Sequence, residues 1–375
     1  MAIYSIADMS TAMPSTIYRK MVGQVQRKAV TLRVLSQAGA LRRSNTGQFI
    51  TWDVKFTGQD AGAVNMDGGS LRTAASDVPV PTQLGFGSYA APVKVTDDLL
   101  WRGGASAGLG SDINPLTDAV AMNIRDGVEK WVKVVNVDLY AATGSANTLT
   151  GFSSAVAPSG IYANINQSTQ SGWASTVQGN SGTLRSLTLA LMKTHRRTIA
   201  VASRMGGPDM CFSNGAMMDA IETLFESYTR INYQPSAAPG IPAEKVTMNP
   251  NAITTAGGKI NRDGFRAFYW ENQGMWFIED PDQTGQGFTN AANALLFLNS
   301  ADVELQYLPP PGANAYLQDR QVLEAAEQDM GPLAGMQLEL IKRGRTQYAH
   351  EFDMTGKIQL VVNSRNAHGW LQDVQ

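Results

Sequence analysis

The most regular hydrophobic pattern of the chain lies between residues 114 and 144. Apolar residues recur there in steps of three and four positions, which is the period of an α-helix with one apolar side. Such a helix, over 115–142, would be about 42 Å long at 1.5 Å per residue, whereas helices average about a dozen residues. The pattern therefore predicts an unusually long helix, which we call the rod. The apolar stripe of the rod consists of Leu116, Val120, Ile124, Val128, Trp131, Val135 and Leu139.

Strict alternation of apolar and polar residues predicts a strand at 49–56, and the stretch 82–96 is its expected return partner in a hairpin. The connection between them, 57–81, contains few large apolar residues, so it cannot bury a core of its own. Ordering such a loop costs about 1–2 kcal/mol per residue in backbone entropy, and we expect contacts from outside the chain to offset that cost. On the strand, Ile50, Trp52, Val54 and Phe56 would share the apolar face, and Thr51, Asp53 and Lys55 the polar face.

Two weaker helical patterns flank these elements. Upstream, a helix is expected over 14–38 and would end at Gly39. After the rod, 145–182 is a polar stretch that we expect at the surface, and a helix follows at 183–198. The apolar edge of the first helix would be Ile17, Met21, Val25, Leu32 and Leu35, and the inward side of the second would be Leu184, Leu187 and Leu191.

The rest of the sequence reads mainly as strands, so the fold class is α+β. Strands are expected at 209–213, 265–270, 275–279, 294–298 and 303–308, and a helix at 214–228. The C-terminal part should form two or three antiparallel strands that turn at 343–345 and 355–356.

Composition changes this picture in one respect. Charged residues make up 17% of the 375 residues, against about 25% in a typical soluble protein. A surface rich in uncharged polar side chains would explain that value. We favour the other explanation, in which neighbouring copies cover much of the surface, because contacts between identical chains are depleted in charge.

The charges are also unevenly distributed. Residues 1–55 hold eight lysines and arginines against two aspartates, a net charge of +6, so the remainder carries −8 of the chain's total of −2. A basic arm on an acidic body indicates attraction to neighbouring copies or to a polyanion, whereas a solvated helix face is the plainer alternative. The arm residues are Arg19, Lys20, Arg27, Lys28, Arg33, Arg42 and Arg43.

A single cysteine excludes an intrachain disulfide and fits a reducing compartment. No apolar run approaches the 18 residues of a membrane span, and the N-terminus lacks the basic and apolar regions of a secretion signal. We therefore expect no membrane partner.

The sequence contains no recognisable catalytic or metal-binding motif, so we predict no catalytic residue, cofactor or metal. Cys211 with His195 could act as nucleophile and base, but a lone cysteine in a strand is more often a core residue. The acidic loop 279–287 could bind a cation, although its spacing favours a solvated loop. The basic cluster 195–197 is best explained by a helix dipole, and the aromatics of 266–277 by a core rather than by base stacking.

Three passages give the sequence a resemblance to a known family. They are 91–104, which looks like a strand and turn leading into the rod, 136–152, which looks like the close of a spine helix, and 210–224, a strand-to-helix step. Together with the order of elements, they resemble the major capsid protein of tailed bacteriophages, the Hong Kong 97-type fold.

The resemblance implies a domain layout. Residues 1–45 would be an N-terminal arm and 46–95 an extended E-loop. Residues 96–180 and 330–375 would form a peripheral domain with the rod as its spine, and 181–329 an axial domain. The charged E-loop residues expected to contact the next subunit are Asp60, Asp67, Arg72 and Asp77.

The resemblance also implies a function, namely self-assembly as hexamers and pentamers into an icosahedral head around double-stranded phage DNA. Partners would be further copies of the chain, a separate scaffold protein, a portal, non-specifically packaged DNA and, as an optional addition, a cement protein. The protein would reside in the virion after assembly in the cytoplasm of the bacterial host. The alternatives are an encapsulin-type nanocompartment shell, another virion component such as a tail or portal protein, and, last, a cysteine hydrolase.

The sequence differs from some family members in two ways, and each difference leads to an expectation. The sequence starts at a methionine followed only by an arm, so we expect no built-in scaffold segment and no maturation cleavage. Between Thr57 and Pro81 it has no lysine, so the E-loop offers no amine for an isopeptide crosslink, and Arg72 is a poor nucleophile.

Overall fold

The computed structural model describes residues 29–44, 49–56, 79–96, 115–145, 147–203, 206–229, 246–247, 267–270, 273–283, 288–309, 338–342 and 349–375. The α-helices in these segments are α1 Val30–Gln37, α2 Pro115–Ala141, α3 Phe152–Ala155, α4 Leu189–Ala202 and α5 Gly215–Thr229. The strands are β1 Leu41–Arg43, β2 Phe49–Val54, β3 Val80–Gly85, β4 Gly87–Thr96, β5 Ile161–Tyr162, β6 Ile165–Asn166, β7 Thr176–Gln178, β8 Met210–Ser213, β9 Val246–Thr247, β10 Ala267–Trp270, β11 Met275–Glu279, β12 Leu295–Leu298, β13 Val303–Leu308, β14 Glu339–Lys342, β15 Ala349–Val362 and β16 Gly369–Leu371. None of the described helices is both long and apolar enough to cross a membrane.

The predicted rod is present as α2, which has 27 residues. Four residues of its predicted apolar stripe are buried within the chain, with exposures of 3% or less, namely Val128, Trp131, Val135 and Leu139. The stripe residues Leu116, Val120 and Ile124 belong to the same helix, but their side chains lie outside the described residues.

The first sheet supports the rod. Its strands run in the order β1-β13-β15-β14, and β4 pairs with the other side of β15. The antiparallel β4–β15 pairing extends from Thr96 opposite Ala349 to Gly87 opposite Ile358. The rod lies directly on these two strands, because a Cβ atom at Gly127 would meet Met354 and Val93 side chains.

The turn predicted at 355–356 is wrong. β15 continues through both positions as one strand of 14 residues. A Thr-Gly pair is typical of a turn, but here the glycine leaves room for the Trp131 ring, which would be 2.7 Å from a Cβ atom at Gly356. The other predicted turn, 343–345, lies outside the described residues.

The second sheet has seven strands in the order β7-β16-β12-β8-β11-β10-β9. Its strands alternate between two cores. Phe212, Ile278, Leu296 and Trp370 belong to the core around the rod. Their sequence neighbours belong to a second core under α4 and α5, which includes Cys211, Phe277, Leu295, Phe297 and Leu371.

The strands, hairpin and helix predicted between 209 and 308 are confirmed as β8, α5, β10 with β11, β12 and β13. Although β12 and β13 are separated by four residues, they belong to different sheets. β13 pairs with β15 of the first sheet, and β16 lies next to β12 in the second. Strands from the segments 181–329 and 330–375 are therefore exchanged between the two sheets.

The predicted hairpin is only partly correct. β2 pairs with Val80–Gly85 alone, and the chain then continues as β4 into the first sheet. The expected single strand over 82–96 is therefore divided into two strands. Six residues of β3 pair with β2, and the ten residues of β4 pair with β15 instead. The predicted alternation of β2 is confirmed, with Ile50 buried and Thr51 and Asp53 exposed.

The helix predicted over 14–38 is wrong as a single element. α1 begins at Val30, because Ala29 has non-helical angles of φ −109° and ψ 77°. The predicted end is correct, since Gly39 has φ 81°. Leu32 and Leu35 are buried as expected, whereas Ile17, Met21 and Val25 lie outside the described residues.

The expectation that 145–182 is a polar surface stretch is only partly correct, because 158–161 and 179–182 are exposed but other parts are buried. Its large apolar residues are irregularly spaced among polar ones, so no period marks them in the sequence. In the structure most of them belong to the core around the rod, whereas Ile161 is 69% exposed. The residues with at most 3% exposure include Leu149, Phe152, Val156, Tyr162, Ile165 and Trp173.

The helix predicted over 183–198 starts later than expected. Thr188 caps α4 by accepting the N–H of Leu191, and the residues before it are extended alongside the C-terminus, where Arg185 N donates to Asp373 O at 2.9 Å. As a result Leu184 is 40% exposed and Leu191 only partly buried. The inward side of α4 consists of Leu189, Met192, His195 and Ile199.

Candidate assembly site

Trp131 lies in the middle of the described buried side of the rod and is 3% exposed. Its indole Nε1–H donates to the carbonyl oxygen of Tyr89 at 3.2 Å, and the two rings meet edge to face at 6.2 Å. On the other side Gly356 brings the β15 backbone against the indole. The pocket is therefore closed by β4 and β15 together, which fixes the rod on the first sheet.

A second contact holds the C-terminal part of the rod. The Tyr89 hydroxyl donates to Asp138 Oδ2 at 2.7 Å and accepts the N–H of Leu149 at 3.1 Å. Burial raises the pKa of Tyr89, and the neighbouring Asp138 carboxylate raises that pKa further. The phenol therefore stays protonated and acts as a permanent donor to the rod.

The arm helix α1 lacks a capping side chain of its own. Its first N–H groups instead reach oxygens from distant parts of the chain. Thr31 N donates to Asp280 Oδ2 at 3.0 Å, and Leu32 N donates to Asn136 Oδ1 at 2.9 Å. A helix N-terminus carries unsatisfied N–H groups and a partial positive charge, so a buried carboxylate suits it.

Asp280 is the centre of this arm junction and has no exposed surface. Besides Thr31 N, it accepts hydrogen bonds from Thr31 Oγ1 at 2.7 Å, Asn136 Nδ2 at 3.1 Å and Tyr140 OH at 3.2 Å. Burial raises the pKa of Asp280, while the hydrogen bonds from Thr31 and Asn136 act in the opposite direction. The carboxylate joins the arm, the rod and the end of β11 in one polar cluster.

The outer edge of the arm junction is an ion pair between Lys133 of the rod and Asp282. Asn136 Nδ2 also donates to Asp282 Oδ2, at 2.7 Å. The sequence expectation of a solvated loop at 279–287 is therefore wrong for Asp280 and Asp282, whereas 284–287 lie outside the described residues. Nor do the described residues bring together three His, Cys, Asp or Glu side chains that could hold a metal ion.

The root of the β2–β3 hairpin rests on a stack of aromatic rings and one guanidinium. Phe56 meets Trp173 edge to face at 5.8 Å, and Gln83 N donates to Ala163 O at 3.3 Å. Beneath them the Arg365 guanidinium lies 5.9 Å from the Trp173 ring and 5.1 Å from the Tyr162 ring. Arg365 is buried and donates to the carbonyl oxygens of Ser154, Ala155 and Ala157.

The predicted basic arm is described only in part. Arg42 forms an ion pair with Glu304 at 3.1 Å, and Arg43 is exposed. Arg33 is partly buried beside Glu129 of the rod, and burial lowers the pKa of its guanidinium. The remaining arm residues Arg19, Lys20, Arg27 and Lys28, and the E-loop residues Asp60, Asp67, Arg72 and Asp77, lie outside the described residues. A role in assembly stays a prediction for both groups and for the stripe of the rod.

The candidate for nucleophilic chemistry is unsuited to it. Cys211 is fully buried in β8, and burial raises the pKa of its thiol, so the reactive thiolate is disfavoured. Burial also lowers the pKa of His195 to about 4.

The basic cluster 195–197 lies in the middle of α4, so the expected position at a helix end is wrong. The aromatic hairpin is core as expected, with Trp270 and Phe277 buried.

Sequence reasoning missed the arm junction, namely Thr31, Asn136, Tyr140, Asp280 and Asp282, and also missed Arg365. One signal was available for Asn136. Val132, Asn136 and Tyr140 are spaced four apart along the rod and are all buried, so an asparagine stood within an apolar helix side. A buried polar residue in that setting requires hydrogen-bond partners from another element.

Comparison with known proteins identifies the fold. No family model and no curated protein sequence matches this chain. Among solved structures, a chain of the capsid asymmetric unit of cyanophage A-1(L) has a TM-score of 0.64 at 16% identity, covering 97% of this chain and 98% of that one. The capsid of an empty GTA particle gives a TM-score of 0.55 at 13% identity, covering 99% and 98%. The SrpI encapsulin of Synechococcus elongatus gives 0.51 at 12% identity, covering 100% and 97%. The chain has the α+β fold of the tailed-phage capsid proteins.

Proposed function

We propose that this chain is the major capsid protein of a tailed bacteriophage. It assembles as hexamers and pentamers into an icosahedral head that encloses the double-stranded DNA genome. The observation that carries the proposal is the similarity to the cyanophage A-1(L) capsid chain. The superposition covers nearly the full length of both chains. A shell subunit also fits the low proportion of charged residues.

The proposed domain layout follows the sequence expectation. Residues 1–45 form the N-terminal arm and 46–95 the E-loop, with the β2–β3 hairpin at its root. Residues 96–180 and 330–375 form the peripheral domain with the rod as spine, and 181–329 the axial domain. The second core, under α4 and α5, supports this division because most of its side chains come from residues between 181 and 329.

In the proposed shell, the rod is a lateral strut. A wall one subunit thick must transmit load sideways, and a helix seated on two strands resists bending better than a free helix does. The Trp131 pocket and the arm junction support this role, since they hold the rod from the sheet side and from the arm side. The E-loop and the basic arm then reach the neighbouring subunits.

The proposed partners are further copies of the chain, a separate scaffold protein, a portal, an optional cement protein and non-specifically bound DNA. The site of action is the virion, assembled in the cytoplasm of the bacterial host. The protein is proposed to be neither an enzyme nor a cofactor carrier. The buried, protonated Cys211 supports that view, because burial makes this candidate nucleophile unsuited to that role.

One alternative has an observation of its own. The similarity to the SrpI encapsulin over the whole chain favours a bacterial nanocompartment shell, which would hold protein cargo instead of a genome. Both candidates share the subunit fold and differ in contents and in partners.

The test is to produce the full chain, alone and with the neighbouring genes of its source, and to image the purified material by negative stain. Closed shells with nuclease-resistant DNA would support the capsid, whereas closed shells with a defined protein cargo would support the nanocompartment. A stable monomer under all assembly conditions would contradict both. A tube or a twelve-fold ring would point instead to a tail or portal component.

A further inference from the structure

Two buried histidines lie where helix α4 meets the C-terminal strand β16. His195 projects from α4, and its ring meets Phe297 of β12 edge to face at 5.0 Å. Its Nε2 atom is 3.1 Å from the position that a Cβ atom would take at Gly369, so the ring lies directly on the β16 backbone. His368 is the residue immediately before Gly369. Both side chains have no exposed surface.

The hydrogen bonds of His368 favour its neutral form. Its Nδ1 accepts the backbone N–H of Asn299 at 3.1 Å, so the single proton of the neutral ring is on Nε2. A second proton would have to sit on Nδ1, where it would face the Asn299 N–H. Two donors cannot share that position, and protonation therefore breaks the bond between His368 and the end of β12.

The surroundings of His195 likewise do not accommodate charge. Neither of its ring nitrogens has a hydrogen-bond partner among the described residues, nor does His368 Nε2. The charged group that acts on His195 is Arg185, a cation on the segment before α4, and it disfavours a second positive charge. Cys211, in the same core, keeps its proton because burial raises the pKa of the thiol.

The charged groups on the elements around His368 form hydrogen bonds with residues other than His368. Arg365, in the same short turn, donates to the carbonyl of Ala155. Asp209 accepts the N–H of Ser300 at 2.8 Å. The Asp302 carboxyl is hydrogen bonded to Ser364, its Oδ2 has no hydrogen-bond partner among the described residues, and burial alone acts on the pKa of His368. Among the described residues we find no carboxylate that compensates an imidazolium. Burial accordingly lowers the pKa of His195 to about 4 and that of His368 to about 3.

We propose that His195 and His368 form an acid-operated latch that holds α4 on β16 while both rings are neutral and releases α4 from the second sheet when they are protonated. An exposed histidine binds its proton below about pH 6.5, whereas these two rings resist protonation in the closed state. The closed state is therefore fully stable above that pH and is progressively lost as the pH falls toward the lowered values. Two protons enter on each opening, which makes the loss steeper than a single histidine would.

The test is hydrogen exchange followed by mass spectrometry on the full chain at pH 7.5 and pH 4.5, corrected for the intrinsic pH dependence of exchange. The latch predicts that peptides covering 189–202 and 369–375 lose about tenfold or more of their protection at pH 4.5, while the rod segment 128–141 keeps its protection. Unchanged protection of α4, or loss of α4 and the rod together, would overturn the proposal.

Variants make the test specific. His195→Phe fills the same space without a titratable group, and His368→Gln retains an acceptor for the Asn299 N–H. The double variant should keep α4 protected at pH 4.5, and His350→Gln on β15 is the matched control that should behave as the wild type. If the double variant does not fold, the two single variants are compared with the wild type. In each of them the protection of α4 should fall with pH about half as steeply as in the wild type. An unaltered steepness in both single variants would contradict the latch.

Discussion

At the scale of single residues, Gly356 shows how an absent side chain positions a 27-residue helix. A Cβ atom there would be 2.7 Å from Trp131 Cζ2 and equally close to Leu338 Cδ2. Both neighbours are buried, so neither can move aside without disturbing the core around the rod. The glycine is required by this close approach rather than by a turn.

Replacing Gly356 by alanine should therefore destabilise the subunit by about 2 kcal/mol through overpacking. Urea or guanidinium unfolding of the purified chain measures this change directly. Gly85→Ala is the matched control, because no atom lies within 4 Å of a Cβ at that strand position, and its effect should stay within about 0.5 kcal/mol. Equal effects of the two substitutions would contradict the close contact.

Trp131→Asp should abolish folding or assembly, since it leaves a cavity and an unpaired carboxylate in the core. We expect a loss of at least about 4 kcal/mol of unfolding free energy. Lys130→Ala, one position along on the exposed side of the rod, should be mild. Soluble yield and thermal unfolding of both variants provide the measurement, and similar yields would refute the assigned orientation of the rod.

Local patterns predicted those elements whose evidence lies within a few turns or one strand. The rod, β2 and α5 were correct for that reason. The Trp131 pocket could not be predicted, because Thr355–Gly356 reads as a turn unless the indole is known to lie above it. The Asp280 cluster could not be predicted either, since Thr31 and Asp280 are 249 positions apart and no periodicity links them.

At the scale of elements, the arm helix α1 is stabilised by contacts with other elements of the chain. An isolated helix of eight residues is not stable in water, and this one has no capping side chain. Its N-terminus depends on Asp280 and Asn136, and its apolar side is buried against the core around the rod. The arm can therefore be loosened by changes far from it in sequence.

Asp280→Ala should cost about 3–5 kcal/mol, because the buried N–H of Thr31 loses its acceptor and Tyr140 and Asn136 each lose a hydrogen bond in the same site. Asp282→Ala removes a partly exposed ion pair with Lys133 and should cost about 1 kcal/mol or less. Denaturant unfolding separates the two, and increased exchange of the 30–37 amides in the Asp280 variant would locate the damage. Should Asp282→Ala prove the costlier of the two, the central position of Asp280 would be refuted.

The hairpin above the Phe56–Trp173 contact offers a second test at this scale. Replacing 58–78 by a short Gly-Ser turn leaves β2, β3 and their root intact. We expect a subunit with near-normal unfolding free energy that fails to form stable shells, because the removed segment contributes between chains. Particles of normal number and thermal stability would show that the loop is dispensable for assembly.

At the scale of the whole molecule, we expect the proposed shell to be held by non-covalent contacts. The segment between Thr57 and Pro81 has no lysine, and Lys94 at its base is engaged with Glu351 at 3.1 Å. Mature particles boiled in detergent should give one band near 40.3 kDa. A ladder of pentameric and hexameric species would contradict this expectation and direct attention to Lys55 as the donor.

The pairing of β4 with β15 has a consequence for the synthesis of the protein. The first sheet joins residues 87–96 to residues 349–358, so it cannot close until residue 358 has left the ribosome. Until then the edge of β4 is open to other nascent chains on the same messenger RNA, and mispaired strands are the expected failure. In the proposed shell, a subunit is complete only after this late pairing, so the rate of translation would limit how soon a shell can begin to grow.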